Sequence, residues 1–282
     1  MELRTMEPTD IPSGLSLCRS AGWNQLARDW ELFLRIEPQG SRVCLDEGGN
    51  VVGTVTTIRY HDRFAWIGMV LVAPNHRRKG IGFKLLEEAI QVLNDQSCVK
   101  LDATPAGREV YIKLGFEDEY MLTRMSASAI NAKYLRSSPA ATPLTSADFE
   151  KVASFDRETF GADRTALLTW MSEGAPEFAI KVVEGDQLKG YCFGRPGYRY
   201  AHIGPVVASN TNVAKELLST ALKYVGGMPV ILDVPHHHKA WKDWLEAVGF
   251  SELRSFMRMY RGNNSYPGIP ENQYAILGPE FG

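Results

Sequence analysis

Met69-Val70-Leu71-Val72-Ala73-Pro74-Asn75-His76-Arg77-Arg78-Lys79-Gly80-Ile81-Gly82-Phe83-Lys84-Leu85-Leu86 reads as strand, loop and helix. The run from Met69 to Val72 is strand material, and Pro74 ends it because proline has no N–H to give a ladder. Phe83, Leu85, Leu86, Ala89, Ile90 and Leu93 then recur at helical spacing. Between strand and helix lies a basic turn holding Gly80 and Gly82. A helix start exposes backbone N–H groups at the positive end of the dipole, which favours anions. The two glycines let a ligand approach main chain that a Cβ would shield, and Arg77, Arg78 and Lys79 add positive charge. Together these features suit a pyrophosphate. The G-x-x-x-x-G-K-[ST] loop is absent, and this G-x-G lacks the third glycine of a dinucleotide fold. The competing reading is a basic turn that only joins a strand to a helix.

Further along, Val99 to Ala103 reads as a second strand, followed by Thr104 as an N-cap and Pro105 at the first helical position. That helix runs to Leu114 and stops at Gly115-Phe116. Arg77-x-x-Gly80-x-Gly82 resembles the [QR]-x-x-G-x-[GA] signature of the GNAT superfamily, the acyl-CoA-dependent N-acetyltransferases. The segment from Ala106 through Tyr111 to Gly115-Phe116 resembles that superfamily's second hallmark, in the right order and spacing. The resemblance implies acetyl-CoA as co-substrate. It places the pyrophosphate on Arg77, Arg78, Lys79, Gly80, Ile81, Gly82 and Phe83, and the acyl arm beside backbone groups of Val70, Leu71 and Val72. It also makes Tyr111 the acid that protonates the leaving thiolate, a role suited to a phenol with a free pKa of about 10. The competing reading of Tyr111 is an aromatic plug on a helix face.

Composition bounds the rest. The 282 residues suit two domains, and 44% hydrophobic with 23% charged residues is ordinary globular usage. A net charge of −2 gives no whole-chain reason to expect nucleic acid or an anionic membrane as partner. No apolar run approaches a membrane span, and the opening residues do not read as a signal peptide. Cys18, Cys44, Cys98 and Cys192 are scattered without a C-x-x-C pair, so reduced thiols, a cytoplasmic location and no metal are expected.

In order, residues 1–9 read as a strand and Thr9-Asp10-Ile11-Pro12 as a helix start. A second helix carries Trp30, Phe33 and Leu34. By resemblance this helix pair overhangs the acceptor site, making Trp23, Asp29, Trp30 and Phe33 candidate wall residues. Core anchoring is the competing reading for the tryptophans. Ser41 to Leu45 and Val51 to Ile58 form a hairpin around Glu47-Gly48-Gly49-Asn50, and Phe64 to Val72 is the next strand.

The same grammar then repeats. A helix opens at Thr145, a hairpin turns at Glu184-Gly185-Asp186, and Ala201 to Ala208 answers the strand before the loop. Val230 to Pro235 answers Val99 to Pro105. Gly53 matches Gly190, Gly68 matches Gly204, and Gly115 matches Gly249, at nearly constant offset. The expected architecture is therefore α/β (α+β). It comprises two tandem GNAT-like domains, each a mixed, mostly antiparallel sheet flanked by helices: residues 1–128, a linker at 129–142, and 143–282. The second copy has Ser209-Asn210-Thr211-Asn212 where the first has its basic glycine loop, and Leu245 where the first has Tyr111. It should bind acyl-CoA weakly or not at all. Its Phe155-Asp156 to Asp163-Arg164 stretch resembles a tandem-GNAT subfamily with an atypical second half.

The general base is left open among Asp29, Glu31, His61 and Asp102. Recurrence of Asp102 as Asp233 in the copy without cofactor residues argues for a structural role. Asp156, Asp163, Arg164 and Arg195 either hold an acceptor or fix a loop, with loop fixing preferred. His236-His237-His238 lacks metal-ligand spacing, and residues 262–282 either pack as a tail or remain loose. The expected partner is a small-molecule or amino-acid-like primary amine, with neither nucleic acid nor membrane, in a monomer or homodimer. The alternative function is a non-catalytic acyl-CoA sensor on the same fold.

Overall fold

A computed structural model of the protein describes residues 1–136 and 140–282. Pro139, within the expected linker 129–142, lies outside the described residues. The chain divides into two compact units. Unit 1 is Met1–Asp118, Met259–Asn264 and Phe281, and unit 2 is Glu119–Arg258, Ser265–Glu280 and Gly282.

In unit 1, β1 (Glu2–Thr5), α1 (Ile11–Ser20), α2 (Ala27–Ile36), β2 (Arg42–Leu45), β3 (Val51–Tyr60) and β4 (Phe64–Val72) precede the basic loop. After it come α3 (Ile81–Val92), β5 (Cys98–Ala103) and α4 (Pro105–Lys113). Strands β1 to β4 pair antiparallel in sequence order, and β5 then runs parallel to β4. Ile81 and Leu85 of α3 close over Gly53 of β3, where an added Cβ would lie 2.8 Å from Leu85 Cδ1. Leu85, Leu86 and Ala89 are buried, as the helical spacing predicts. Helices α1 and α2 pack on β3 as well.

Unit 2 holds most of β6 (Glu117–Ala127), then β7 (Ala141–Pro143), α5 (Phe149–Phe160), α6 (Thr165–Gly174), β8 (Ile180–Glu184), β9 (Gln187–Arg195) and β10 (Ala201–Ala208). It continues with α7 (Thr211–Ala221), β11 (Val230–Pro235), α8 (Lys239–Val248), most of β12 (Ser251–Gly262) and β13 (Gln273–Ala275). Its sheet runs β6-β11-β10-β9-β8-β7, with β13 added to β10. Val206, Val213, Leu217, Leu232, Trp241 and Leu245 belong to one buried apolar cluster.

The compact units do not coincide with the two sequence copies. Strand β6 ends the first copy, yet it pairs antiparallel with β11 from Leu122↔Pro235 to Ala127↔Val230, inside unit 2. Conversely, Met259–Asn264 from the end of the second copy belongs to unit 1, where Asn263 N–H donates to Ser97 O at 2.8 Å. A repeat pattern reports which segments share a fold, whereas the pairing of a closing strand is set by the sheet edge that receives it. Within residues 262–282, Gln273 to Leu277 are all buried, whereas Gly262, Asn263, Ser265, Pro267, Ile269 and Glu271 are exposed.

Candidate active site

In unit 1 the parallel pair β4–β5 has only two matched positions, Ala65↔Val99 and Trp66↔Lys100. Beyond them β4 carries a bulge, with Thr54 opposite Leu71 but Thr56 opposite Gly68. Met69 within that bulge has φ +50, a region a non-glycine residue enters only when its surroundings hold it. The hold is visible: the buried Thr54 hydroxyl donates to Met69 O at 2.8 Å. A bulge beside diverging strands turns main-chain groups away from the ladder. Among the described residues, β4 has only β3 and β5 as strand neighbours, so Val70 to Val72 lie along the side from which β5 departs.

The loop after β4 leads into α3 through Gly80, which serves as N-cap at φ +80. Arg78 also has φ +59, and such left-handed residues in a turn help successive N–H groups form a concave anion seat. The first intrahelical bond is Lys84 N–H to Gly80 O at 3.1 Å. No side chain caps this helix start, so the amides of Ile81, Gly82 and Phe83 point outward without an intrahelical acceptor. A Cβ at Gly82 would meet only Val72 Cγ2, at 3.7 Å. Packing within the protein therefore tolerates a larger residue there, and close approach of a ligand is what glycine serves. Arg77 reaches back, its Nε donating to Val72 O at 3.1 Å, which ties the loop to the end of β4. The cradle fits a pyrophosphate.

Tyr111 lies on α4, whose N-cap Thr104 accepts the Gly107 N–H at 3.2 Å. The ring folds back over the first turn, and a Cβ on Gly107 would stand 3.1 Å from the Tyr111 hydroxyl. Burial alone pushes the phenol up to about 12, so it carries its proton throughout the neutral range.

The candidate acceptor-wall residues are placed differently. Trp30 and Phe33 are fully buried, and Phe33 stacks on Phe281 with ring centroids 4.9 Å apart. Asp29 caps α2 by accepting the Leu26 N–H at 2.5 Å. Only Trp23 of the four is half-buried. Of the base candidates, Glu31 and His61 are exposed and Asp102 is half-buried at the end of β5.

Unit 2 repeats the framework without the cradle. Strands β10 and β11 pair at Ala201↔Val230 and His202↔Ile231, and β10 is bulged between Ile203 and Val206. Asn210 stands where Gly80 stands in unit 1. Its side-chain oxygen accepts from Asn212 N–H at 3.0 Å and Val213 N–H at 3.2 Å, so two amides of α7 that an anion would need are already taken. Asparagine ahead of an apolar helical run is the sequence signal for this cap. Leu245, answering Tyr111, is wholly buried.

The charged residues of unit 2 form two buried networks. Asp156 pairs with Arg164 at 2.8 Å and also takes the Tyr191 hydroxyl, while Arg164 Nη1 donates to Gly282 O at 2.8 Å. In the other, Asp233 receives Nε and Nη2 of Arg124, each at 2.8 Å, and His202 Nε2 lies 3.0 Å away. Arg195 pairs with Glu280 and offers Nη2 to His202 Nδ1 at 3.3 Å. Burial pushes His202 below its ordinary range despite the neighbouring Asp233 carboxylate. The two arginines are then matched by two carboxylates. Asp163 accepts the Thr165 N–H at 2.8 Å and pairs with Arg157 at 2.6 Å. These are the contacts of residues that fix loops. His236 and His237 are exposed, and no cluster able to hold a metal ion is present among the described residues. Nor is any helix there long and apolar enough to cross a membrane.

Comparison with known proteins agrees with this geometry. Residues 12–116 match the acetyltransferase (GNAT) family, and residues 152–275 match an acetyltransferase (GNAT) domain. The holothin acyltransferase of Pseudoalteromonas sp. (strain SANK 73390) is 32% identical over 266 residues, 92% of this chain and 87% of that protein. The chain belongs to the GNAT acetyltransferase family. Among solved structures, a putative acetyltransferase from Pyrococcus horikoshii covers 100% of this chain and 95% of its own, with TM-score 0.83 at 22% identity. A tandem GNAT protein from the clavulanic acid biosynthesis pathway covers 93% of this chain and 98% of its own, with TM-score 0.65 at 16% identity. At those identities the two structures speak for the fold, which is a tandem GNAT fold with acyltransferase as its family activity.

Proposed function

We propose that unit 1 is an acetyl-CoA-dependent N-acetyltransferase acting on a primary amine of a small molecule or amino-acid-like compound. The observation that carries this reading is the uncapped start of α3 behind Gly80, set beside the bulged end of β4. The loop from Arg77 to Phe83 binds the pyrophosphate through backbone amides. The acyl arm lies along Val70, Leu71 and Val72 as an added strand would. The amine nitrogen, arriving uncharged, attacks the thioester carbonyl carbon. A C–N bond forms, the C–S bond breaks, and backbone N–H groups near the bulge stabilise the oxyanion. Tyr111 gives its proton to the departing sulfur and regains one from solvent, to which the amine's surplus proton passes. Trp23, Asp29, Trp30 and Phe33 belong to the acceptor side, Trp23 by contact and the others by shaping what lies above them.

The name of the Pseudoalteromonas relative gives it acyl transfer to holothin, and holothin is therefore the first acceptor to test. Free thiol is followed as acetyl-CoA is mixed with the protein and an amine library. Thiol release that depends on one amine, with the acetylated amine found by mass spectrometry, supports the proposal. Tight acetyl-CoA binding with no turnover across the library favours the non-catalytic sensor instead.

A further inference from the structure

Strand β13 occupies a definite place. It pairs antiparallel with β10 at Val206↔Ala275 and Val207↔Gln273, beyond the point where β11 has left β10. On its other side Ile276 N–H donates to Asp233 O of β11 at 2.9 Å. Main chain of 273–276 thus bridges the two diverging strands, in the part of unit 2 that answers the β4–β5 divergence of unit 1. Side chains secure it. Trp241 Nε1 donates to Tyr274 O at 2.9 Å, and His238 stacks on the Tyr274 ring at 4.3 Å. The receiving strand is shaped for it, because a Cβ on Gly204 would stand 2.0 Å from Ile276 O.

We propose that unit 2 is a strand-binding module: its diverging strands take an extended peptide, residues 273–277 of this chain, in the position an acyl arm takes in a working copy of the fold. Three features make peptide the ligand class. Backbone pairing on β10 and a backbone bond to β11 recognise main chain. A close-fitting glycine admits a carbonyl. The Asn210 cap removes two amides that a pyrophosphate would require. The comparison with an acyl arm rests on the proposed reading of unit 1, whereas the pairing of the segment with β10 and β11 does not.

Held in cis, the segment acts at an effective concentration of roughly millimolar or above, so it suppresses binding of the same sequence in trans. The full-length variant Ile276→Pro removes the donor to Asp233 and frees the cleft. A fluorescent peptide of residues 270–280 should bind this variant about a hundredfold more tightly than it binds the unchanged protein, and a scrambled peptide should bind neither. Acetyl-CoA stoichiometry should be the same in both. Equal, negligible peptide binding by both proteins, with the variant folded by near-ultraviolet circular dichroism, overturns the proposal. So does a second acetyl-CoA site in the variant. Should the variant not fold, amide exchange in the unchanged protein decides: Ile276 protected to the level of β10 supports the proposal, and exchange at loop rates overturns it.

Discussion

The Thr54 hydroxyl donates to the Met69 carbonyl across 2.8 Å inside unit 1, and this bond holds a left-handed methionine in the strand that leads to the anion cradle. Thr54→Val keeps the shape and removes the donor. It should cost about 1 kcal/mol of stability in urea titration. Turnover should fall about tenfold or more as the bulge relaxes, because misplaced main-chain donors lose transition-state stabilisation. Unchanged turnover at the lower stability would separate the bulge from the chemistry.

Gly82→Trp should fold normally, with a melting temperature within about 2 °C of the unchanged protein, since nothing nearer than Val72 Cγ2 at 3.7 Å meets a new Cβ. Acetyl-CoA binding by calorimetry should vanish. A folded variant that still binds would put the pyrophosphate elsewhere.

Tyr111→Phe should leave acetyl-CoA affinity intact and lower kcat by about 10² to 10⁴, the range for one positioned proton donor. The pH–rate profile of the unchanged enzyme should show no loss from this group below about 12, where burial sets its ionisation. Equal loss of affinity and turnover would make the tyrosine structural.

Unit 2 should lose stability on acidification, for reasons that can be signed. Burial depresses His202, so the unfolded chain binds the extra proton first; stability is complete above about 6.5 and declines as pH falls below it. Burial works against the Asp233 carboxylate, but Arg124 and His202 outweigh it and hold it below its usual range. Its contribution is therefore present above about 3.9 and lost as pH falls further. His202→Gln should flatten urea stability between pH 7.5 and 5.5. Asp233→Asn strands the Arg124 charge and should cost about 3–5 kcal/mol at pH 7.5.

The sequence displays what is local and hides what is assembled. Arg77 to Gly82 and Thr104 to Phe116 are each contiguous, so the glycine loop ahead of α3 and the capped start of α4 are legible in the sequence. The repeat likewise shows through Gly53, Gly68 and Gly115 and their partners. The pairing of β6 with β11 is not legible, because it joins Leu122–Ala127 to Val230–Pro235, segments far apart in the chain. Strand β13 has three residues between Pro270 and Gly278, too few for any periodicity. The Arg124–Asp233–His202–Arg195–Glu280 network draws on five separate segments, and only the fold brings them together. Trp30 and Asp29 stand side by side in the sequence as acceptor-wall candidates, and neither the full burial of Trp30 nor the bond from Leu26 N–H to Asp29 is legible there.

Cofactor binding is proposed at one helix start, behind Gly80, whereas its counterpart behind Asn210 is closed by its own side chain. Calorimetric titration of acetyl-CoA into the full chain tests it most directly. One site per chain is expected, abolished by Gly82→Trp and untouched by Asn210→Ala. Two sites per chain, or a single site that survives Gly82→Trp, would contradict it.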